Sequence, residues 1–165
     1  MDPVLTHLDA SGNARMVDVS AKEATVRTAA AVGEIRMNPE TLRRVRSGGL
    51  KKGDALTVAK IAGIQGAKRT SELIPMCHPL AIEHIEIRFQ DLPNQEGLRI
   101  ESSVSLTGKT GVEMEALSAV SIAALTLYDM AKSSDPHMVI TGIHLIEKKG
   151  GKSDFAHANG YFDRQ

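Results

Sequence analysis

The run Ala116–Tyr128 restricts this chain more than any other feature, because it contains no charged residue, no proline and no glycine. It extends into a pattern running from about Val112 to Lys132, rich in Ala, Leu and Met and therefore strongly helical. A helix so poor in polar side chains must be covered on most of its circumference. The uncharged stretch is 13 residues long, short of the roughly 20 that a membrane-spanning helix needs. It is predicted to be a long helix of a soluble globular domain, whose remaining surface comes from the rest of the sequence.

Alternating segments provide that surface. Thr25 to Met37 reads as a strand, with Val26, Thr28, Ala30 and Val32 on one side. Glu83, Ile85, Ile87 and Phe89 alternate with His84, Glu86 and Arg88, a strand with one wet face. Leu98, Ile100, Ser102, Val104 and Leu106 form its partner across the turn Leu92–Gly97, and Ile140 to Glu147 reads as the last strand. Asn38-Pro39 starts a short helix that Gly48-Gly49 ends. Asp54 caps a second helix through about Arg69, with Ala55, Val58, Ala59, Ala62 and Gly66 on its apolar side. These residues are small, so this helix should lie close to its neighbour. Leaving aside the short helix, the order is β-α-β-β-α-β. That is the α+β, ferredoxin-like order, an antiparallel sheet with its helices on one face. Gly150-Gly151-Lys152-Ser153 opens a polar tail.

Composition narrows the function. The chain has 165 residues with 20 basic and 20 acidic side chains, for zero formal net charge. Nucleic acid and anionic lipid recruit excess positive charge, so neither is an expected partner. Aromatics make up 3% with no Trp, too few for a module that stacks bases, and the strand Arg99–Ser105 lacks the rings of an RNA-recognition sheet. The single cysteine, Cys77, excludes an internal disulfide and a paired-cysteine zinc site, and suits a reducing cytoplasm. The N-terminus has no secretory pattern. The six histidines fall at 7, 78, 84, 137, 144 and 157, without metal-ligand spacing, so no metal site is expected.

Several side chains carry chemistry beside a plainer alternative. Gly108-Lys109-Thr110 lacks the first glycine of a phosphate-binding P-loop, since Ser103 stands there. What remains is a glycine loop and a lysine at a helix N-terminus, either an anion site or a tight turn. Glu113 and Glu115 in the first helical turn suit the helix dipole. Asp129 and Lys132 share a face, as a surface ion pair or, if partly buried, as a proton-transfer pair. Cys77 and His78 are neighbours in an extended, proline-bracketed loop and point apart, a poor dyad. His78 serves there as a substrate contact or a turn residue.

Together these pieces resemble one family. Met16–Lys22, Lys52-Gly53-Asp54 and Ala59–Thr70 are similar to blocks of the cyclic pyranopterin monophosphate synthases of molybdenum cofactor biosynthesis. So are the loop Leu73–Leu80, the block Leu106–Leu117, and Leu127–Met130 with Lys132. The similarity covers about residues 12–155. Met76 stands where the family has Leu, and Ala131 where Cys is frequent. The resemblance implies a lyase that converts 3′,8-cyclo-7,8-dihydro-GTP, supplied by an upstream radical GTP cyclase, to cyclic pyranopterin monophosphate and pyrophosphate. It also implies a ferredoxin-like fold and a cytoplasmic homohexamer, a trimer of dimers with sites between subunits. Residues 15–155 would form the single catalytic domain, between a flexible arm 1–14 and a flexible tail 156–165.

By position, Lys52, Asp129 and Lys132 match the catalytic residues. The assignment is Asp129 with Lys132 as acid/base pair and Lys52 as proton donor or oxyanion partner. Met76, Cys77, His78, Glu113 and Met114 match the substrate contacts, a carboxylate such as Glu113 accepting hydrogen bonds from a guanine-type edge. Lys68, Arg69 and Lys109 are candidate triphosphate clamps, and Lys152 has no assigned role. No redox cofactor or protein-bound metal is implied, and Mg²⁺ can accompany the triphosphate. The rival function is a nucleotide-binding regulatory subunit without catalysis, which needs no Asp129–Lys132 pair.

Overall fold

The computed structural model describes residues 11–13 and 15–156. Its elements are β1 (Thr25–Arg36), α1 (Pro39–Ser47), α2 (Ala55–Lys68), α3 (Thr70–Leu73), β2 (His84–Asp91), β3 (Gly97–Gly108), α4 (Glu113–Ala131), β4 (Val139–Lys149) and β5 (Phe155–Ala156). The strands form one sheet in the order β2-β3-β1-β4-β5. Every pairing is antiparallel. The first four strands, with α2 and α4 on one face, give the ferredoxin-like arrangement expected from the β-α-β-β-α-β order.

Local chemistry sets the boundaries. The Asn38 side chain accepts from the Thr41 amide, Pro39 occupies the first turn, and Gly48 closes α1 at φ 69°, a left-handed conformation suited to glycine. The Asp54 carboxylate accepts the Thr57 amide at 3.1 Å and the Thr57 hydroxyl at 2.6 Å, which starts α2. In β1, Ala29, Ala31, Gly33 and Ile35 are buried, and α4 packs over them. The Ser102 hydroxyl donates to the Ala116 carbonyl at 2.7 Å and ties α4 to β3.

The helices touch through small residues, as their sequences suggest. A Cβ added at Gly63 would lie 2.7 Å from the Ala119 carbonyl oxygen, and one at Gly66 2.7 Å from Ile122 Cγ1. Val58 corrects the expected apolar side, being 42% exposed. Gly63 and Ala67 are buried in its place. Helix α4 is long and apolar enough to cross a membrane by length and composition. However, Ala116, Ala119, Val120, Ala123, Ala124 and Leu127 are fully buried, which makes it the core helix of the domain.

Two further differences concern short elements. The chain leaves α2 at Lys68 and enters α3, where the Thr70 hydroxyl donates to the Ala67 carbonyl at 2.9 Å. The polar segment after β4 turns back, and Phe155–Ala156 pairs with Lys148 and Glu147 as an edge strand. Two residues with no periodicity gave no sign of this pairing. Of the expected arm and tail, residues 1–10, 14 and 157–165 lie outside the described residues.

Candidate functional site

Two clusters carry the candidate residues, one at each end of α4. The first gathers at its C-terminus. Lys52 stands in the loop between α1 and α2, held by buried Leu50 on one side and the Asp54 cap on the other. Its Nζ donates to Asp129 Oδ2 at 2.6 Å and to the Asp129 carbonyl at 3.0 Å. Lys132, one helical turn beyond Asp129, approaches Oδ1 at 2.8 Å. Both carboxylate oxygens are therefore occupied by ammonium groups. The pairing takes the Asp129 carboxyl from 3.8 down to about 2, through the Lys132 and then the Lys52 hydrogen bonds, and Asp129 in turn raises Lys132. Ion pairing and not burial drives the shift, since the three side chains are 45%, 55% and 54% exposed in the single chain and what desolvation there is works against it. The partial burial considered from the sequence is replaced by direct ion pairing.

The second cluster surrounds the N-terminus of α4. Met76, Cys77, His78, Glu113 and Met114 line one cavity of about 560 Å³, together with Glu115, Lys148 and Phe155. The loop holding the first three is anchored by the Cys77 amide on the Ile74 carbonyl at 3.0 Å. His78 Nε2 donates to the Val17 carbonyl at 2.8 Å, which fixes the tautomer. Burial and the Glu115 carboxylate push the Cys77 thiol up, so it is a poor nucleophile. Gly111 leaves room for Glu113, since a Cβ there would fall on the Glu113 carboxylate. Glu115 is only 3% exposed, and burial raises its carboxyl above the ordinary value.

A smaller cavity of about 160 Å³ adjoins this one and shares Gly111, Glu113 and Lys148 with it. Arg27, Lys149 and Lys152 also line it, and Lys148 Nζ reaches Glu113 Oε1 at 3.2 Å. Arg27, Lys148 and Lys149 belong to no sequence motif, since they stand on two strands that only the β1–β4 pairing brings together. Lys68, Arg69 and Lys109 line neither cavity. Lys109 Nζ donates to the Ser20 carbonyl at 2.6 Å, and Arg69 pairs with Glu72. Among the described residues, no three His, Cys, Asp or Glu side chains converge as a metal site.

The two clusters do not meet within one chain. Glu113 and Asp129 stand at the two ends of α4, about 24 Å apart at 1.5 Å per residue.

A ferredoxin-like α+β domain with an acid-and-histidine cavity, a basic annex and a lysine-clamped carboxylate belongs among small-molecule enzymes rather than nucleic-acid modules. The sequence comparisons are more specific. Residues 16–151 match the model of the MoaC family, and the chain belongs to that family. It is 56% identical over 161 residues to the cyclic pyranopterin monophosphate synthase of Desulfitobacterium hafniense, covering 98% of this chain and 94% of the relative. It is 57% identical over 153 residues to the enzyme of the same name from Heliobacterium modesticaldum, covering 93% and 96%. The Chloroflexus aggregans enzyme of that name is 57% identical over 149 residues, with 90% of each chain covered.

Proposed function

We propose that this protein is a cyclic pyranopterin monophosphate synthase, a lyase of molybdenum cofactor biosynthesis. Its substrate is 3′,8-cyclo-7,8-dihydro-GTP from an upstream radical GTP cyclase, and its products are cyclic pyranopterin monophosphate and pyrophosphate. Identity across nearly the full length of relatives bearing that name carries the proposal.

The base edge of the substrate enters the larger cavity. Glu113 and the buried Glu115 accept its N–H groups, with Met76, Cys77, His78 and Met114 around it. The triphosphate extends over Arg27, Lys148, Lys149 and Lys152. Opening and reclosing the base moves protons and water without changing oxidation state, so no redox cofactor is required. Mg²⁺ enters, if at all, with the triphosphate.

In the second half of the reaction a sugar hydroxyl attacks the α-phosphorus. The new P–O bond replaces the bond to the bridging oxygen, and pyrophosphate leaves with its charge held by cations. Lys52, Asp129 and Lys132 serve the proton transfers. In the free chain, at about 2, Asp129 is a weak base, far from the neutral range that suits proton transfer. Phosphate oxygens that draw the two ammonium groups away return its basicity and make the lysines proton donors. The clamp is then a resting state that substrate opens.

Because the two clusters lie at opposite ends of α4, a working site combines the C-terminal cluster of one subunit with the cavity of another. That requirement fits the homohexamer expected from the resemblance. The location is the cytoplasm.

Purified protein incubated with the cyclised dihydro-GTP should release pyrophosphate and form the tricyclic pterin together. Binding without pyrophosphate release would favour the regulatory subunit instead. Co-expressed Asp129→Asn and Glu113→Gln chains, each inactive alone, should recover activity together, since mixed oligomers hold sites with both clusters intact. No recovery would exclude the shared site.

A further inference from the structure

Asp135 stands in the turn that leaves α4, shortly after Lys132, and it is buried at 6% exposure. Its Oδ2 accepts the Asn38 amide at 2.9 Å and its Oδ1 the His137 amide at 3.2 Å. A buried carboxylate that accepts backbone amides makes strong bonds, and removing it leaves those amides unpaired. The bond to Asn38 spans 97 positions of sequence. Asn38 is also the residue that starts α1, its side chain accepting the Thr41 amide at 2.8 Å. Among the described residues the other buried carboxylates have different places. Glu115 lines the larger cavity, and Glu34 pairs with Arg36.

The two segments that Asp135 joins are the ones that carry the clamp lysines. Lys132 caps α4 just past its last helical residue, Ala131. No left-handed glycine stops the helix there. Instead the Ser134 and Asp135 amides converge on the Ala131 carbonyl at 2.8 and 3.2 Å. Pro136 discourages another helical turn, and the Tyr128 hydroxyl donates to its carbonyl at 3.2 Å. Lys52 lies in the loop that follows α1. Because the Lys52 and Lys132 side chains are 45% and 54% exposed, packing does not fix their ammonium groups around Asp129. Their places follow from the backbone that bears them.

We propose that Asp135 is a positioning residue for the reaction: by tying the turn after α4 to the start of α1, it keeps Lys132 and Lys52 in register on the two oxygens of Asp129. The inference rests on the reading of that cluster as the proton-transfer group. Asp135 itself holds backbone amides and acts only through the two lysines. A misplacement of about 1 Å at reacting groups costs on the order of 10²-fold in rate, so even a modest relaxation of this turn registers in kcat.

Kinetics and titration test it together. Asp135→Ala should lower kcat by roughly 10- to 100-fold, with KM within about twofold of the parent value. Added to Asp129→Asn, it should lower kcat no further, because nothing is left to position. A residue that merely supported the fold would add its own loss to the pair. The Asp129 carboxyl, followed by ¹³C NMR as pH is lowered, should titrate nearer its ordinary 3.8 than about 2 in the Asp135→Ala protein. Asp135→Asn, which keeps one acceptor, should fall between parent and Ala, and it carries the test if Asp135→Ala fails to fold. An unchanged kcat, an unmoved Asp129 titration in a folded variant, or a further loss in the double variant would overturn the proposal alone. A near-normal rate for Asp129→Asn would overturn the proton-transfer reading and this proposal with it.

Discussion

Replacing Asp129 by Asn separates a catalytic cluster from a decorative one. Both carboxylate oxygens hold a lysine, Lys52 at 2.6 Å and Lys132 at 2.8 Å. An amide of the same shape offers one acceptor and turns its NH₂ toward the other ammonium. Lys52 keeps its bond to the Asp129 carbonyl at 3.0 Å, whereas Lys132 loses its anchor. The lysines lower Asp129 from 3.8 to about 2, roughly sixtyfold in proton affinity, and asparagine has no such basicity to recover. If the cluster transfers protons, Asn should lower kcat by about 10²–10⁴-fold with little change in KM. Lys132→Ala should add little to the Asn variant, because residues acting as a unit are not additive. Thermal stability should hardly move, since exposed ion pairs contribute little. What they do contribute is present at neutral pH and lost as pH falls from 3.8 toward about 2. Steady-state pyrophosphate release with parallel melting curves measures both. A near-normal kcat in an intact Asn variant would refute the reasoning and return Asp129 to the surface ion-pair role.

Lys148→Ala, which empties the shared wall of the two cavities, should raise KM for the triphosphate substrate. Lys109→Ala, whose ammonium is engaged on Ser20, should leave KM alone, and the reverse order would relocate the phosphate site. Gly63→Ala should destabilise by about 1–3 kcal/mol from overpacking against Ala119, offset by about 1 kcal/mol of helix propensity. The melting temperature should fall by about 2–4 °C for each net kcal/mol. Burial raises Glu115 above 4.5, so its contribution to stability is complete below that value and is lost as pH rises through the raised one. Glu115→Gln should remove that loss, seen as a flatter difference in denaturation midpoint between mildly acid and neutral pH.

Much of the fold was legible because it is written in local patterns. The helix Glu113–Ala131 follows from an uncharged run too short to span a membrane and too apolar to stand in water. Asn38 and Asp54 mark helix starts because a side-chain oxygen next to free amides has the same effect in any protein. The candidate site residues were legible only through resemblance, since a lysine before a helix cap or a Cys-His pair in a loop has several ordinary explanations. Tertiary structure alone decided how they group. Antiparallel packing of α2 on α4 carries Lys52 to Asp129 across 77 positions of sequence. Pairing of β1 with β4 draws Arg27 toward Lys148 and Lys149, and the edge strand β5 places Phe155 beside the cavity. No periodicity encodes such meetings, because they depend on which elements become neighbours. The length of α4 was likewise in the sequence. That it holds the two clusters about 24 Å apart emerges only once both ends have been furnished by the rest of the fold.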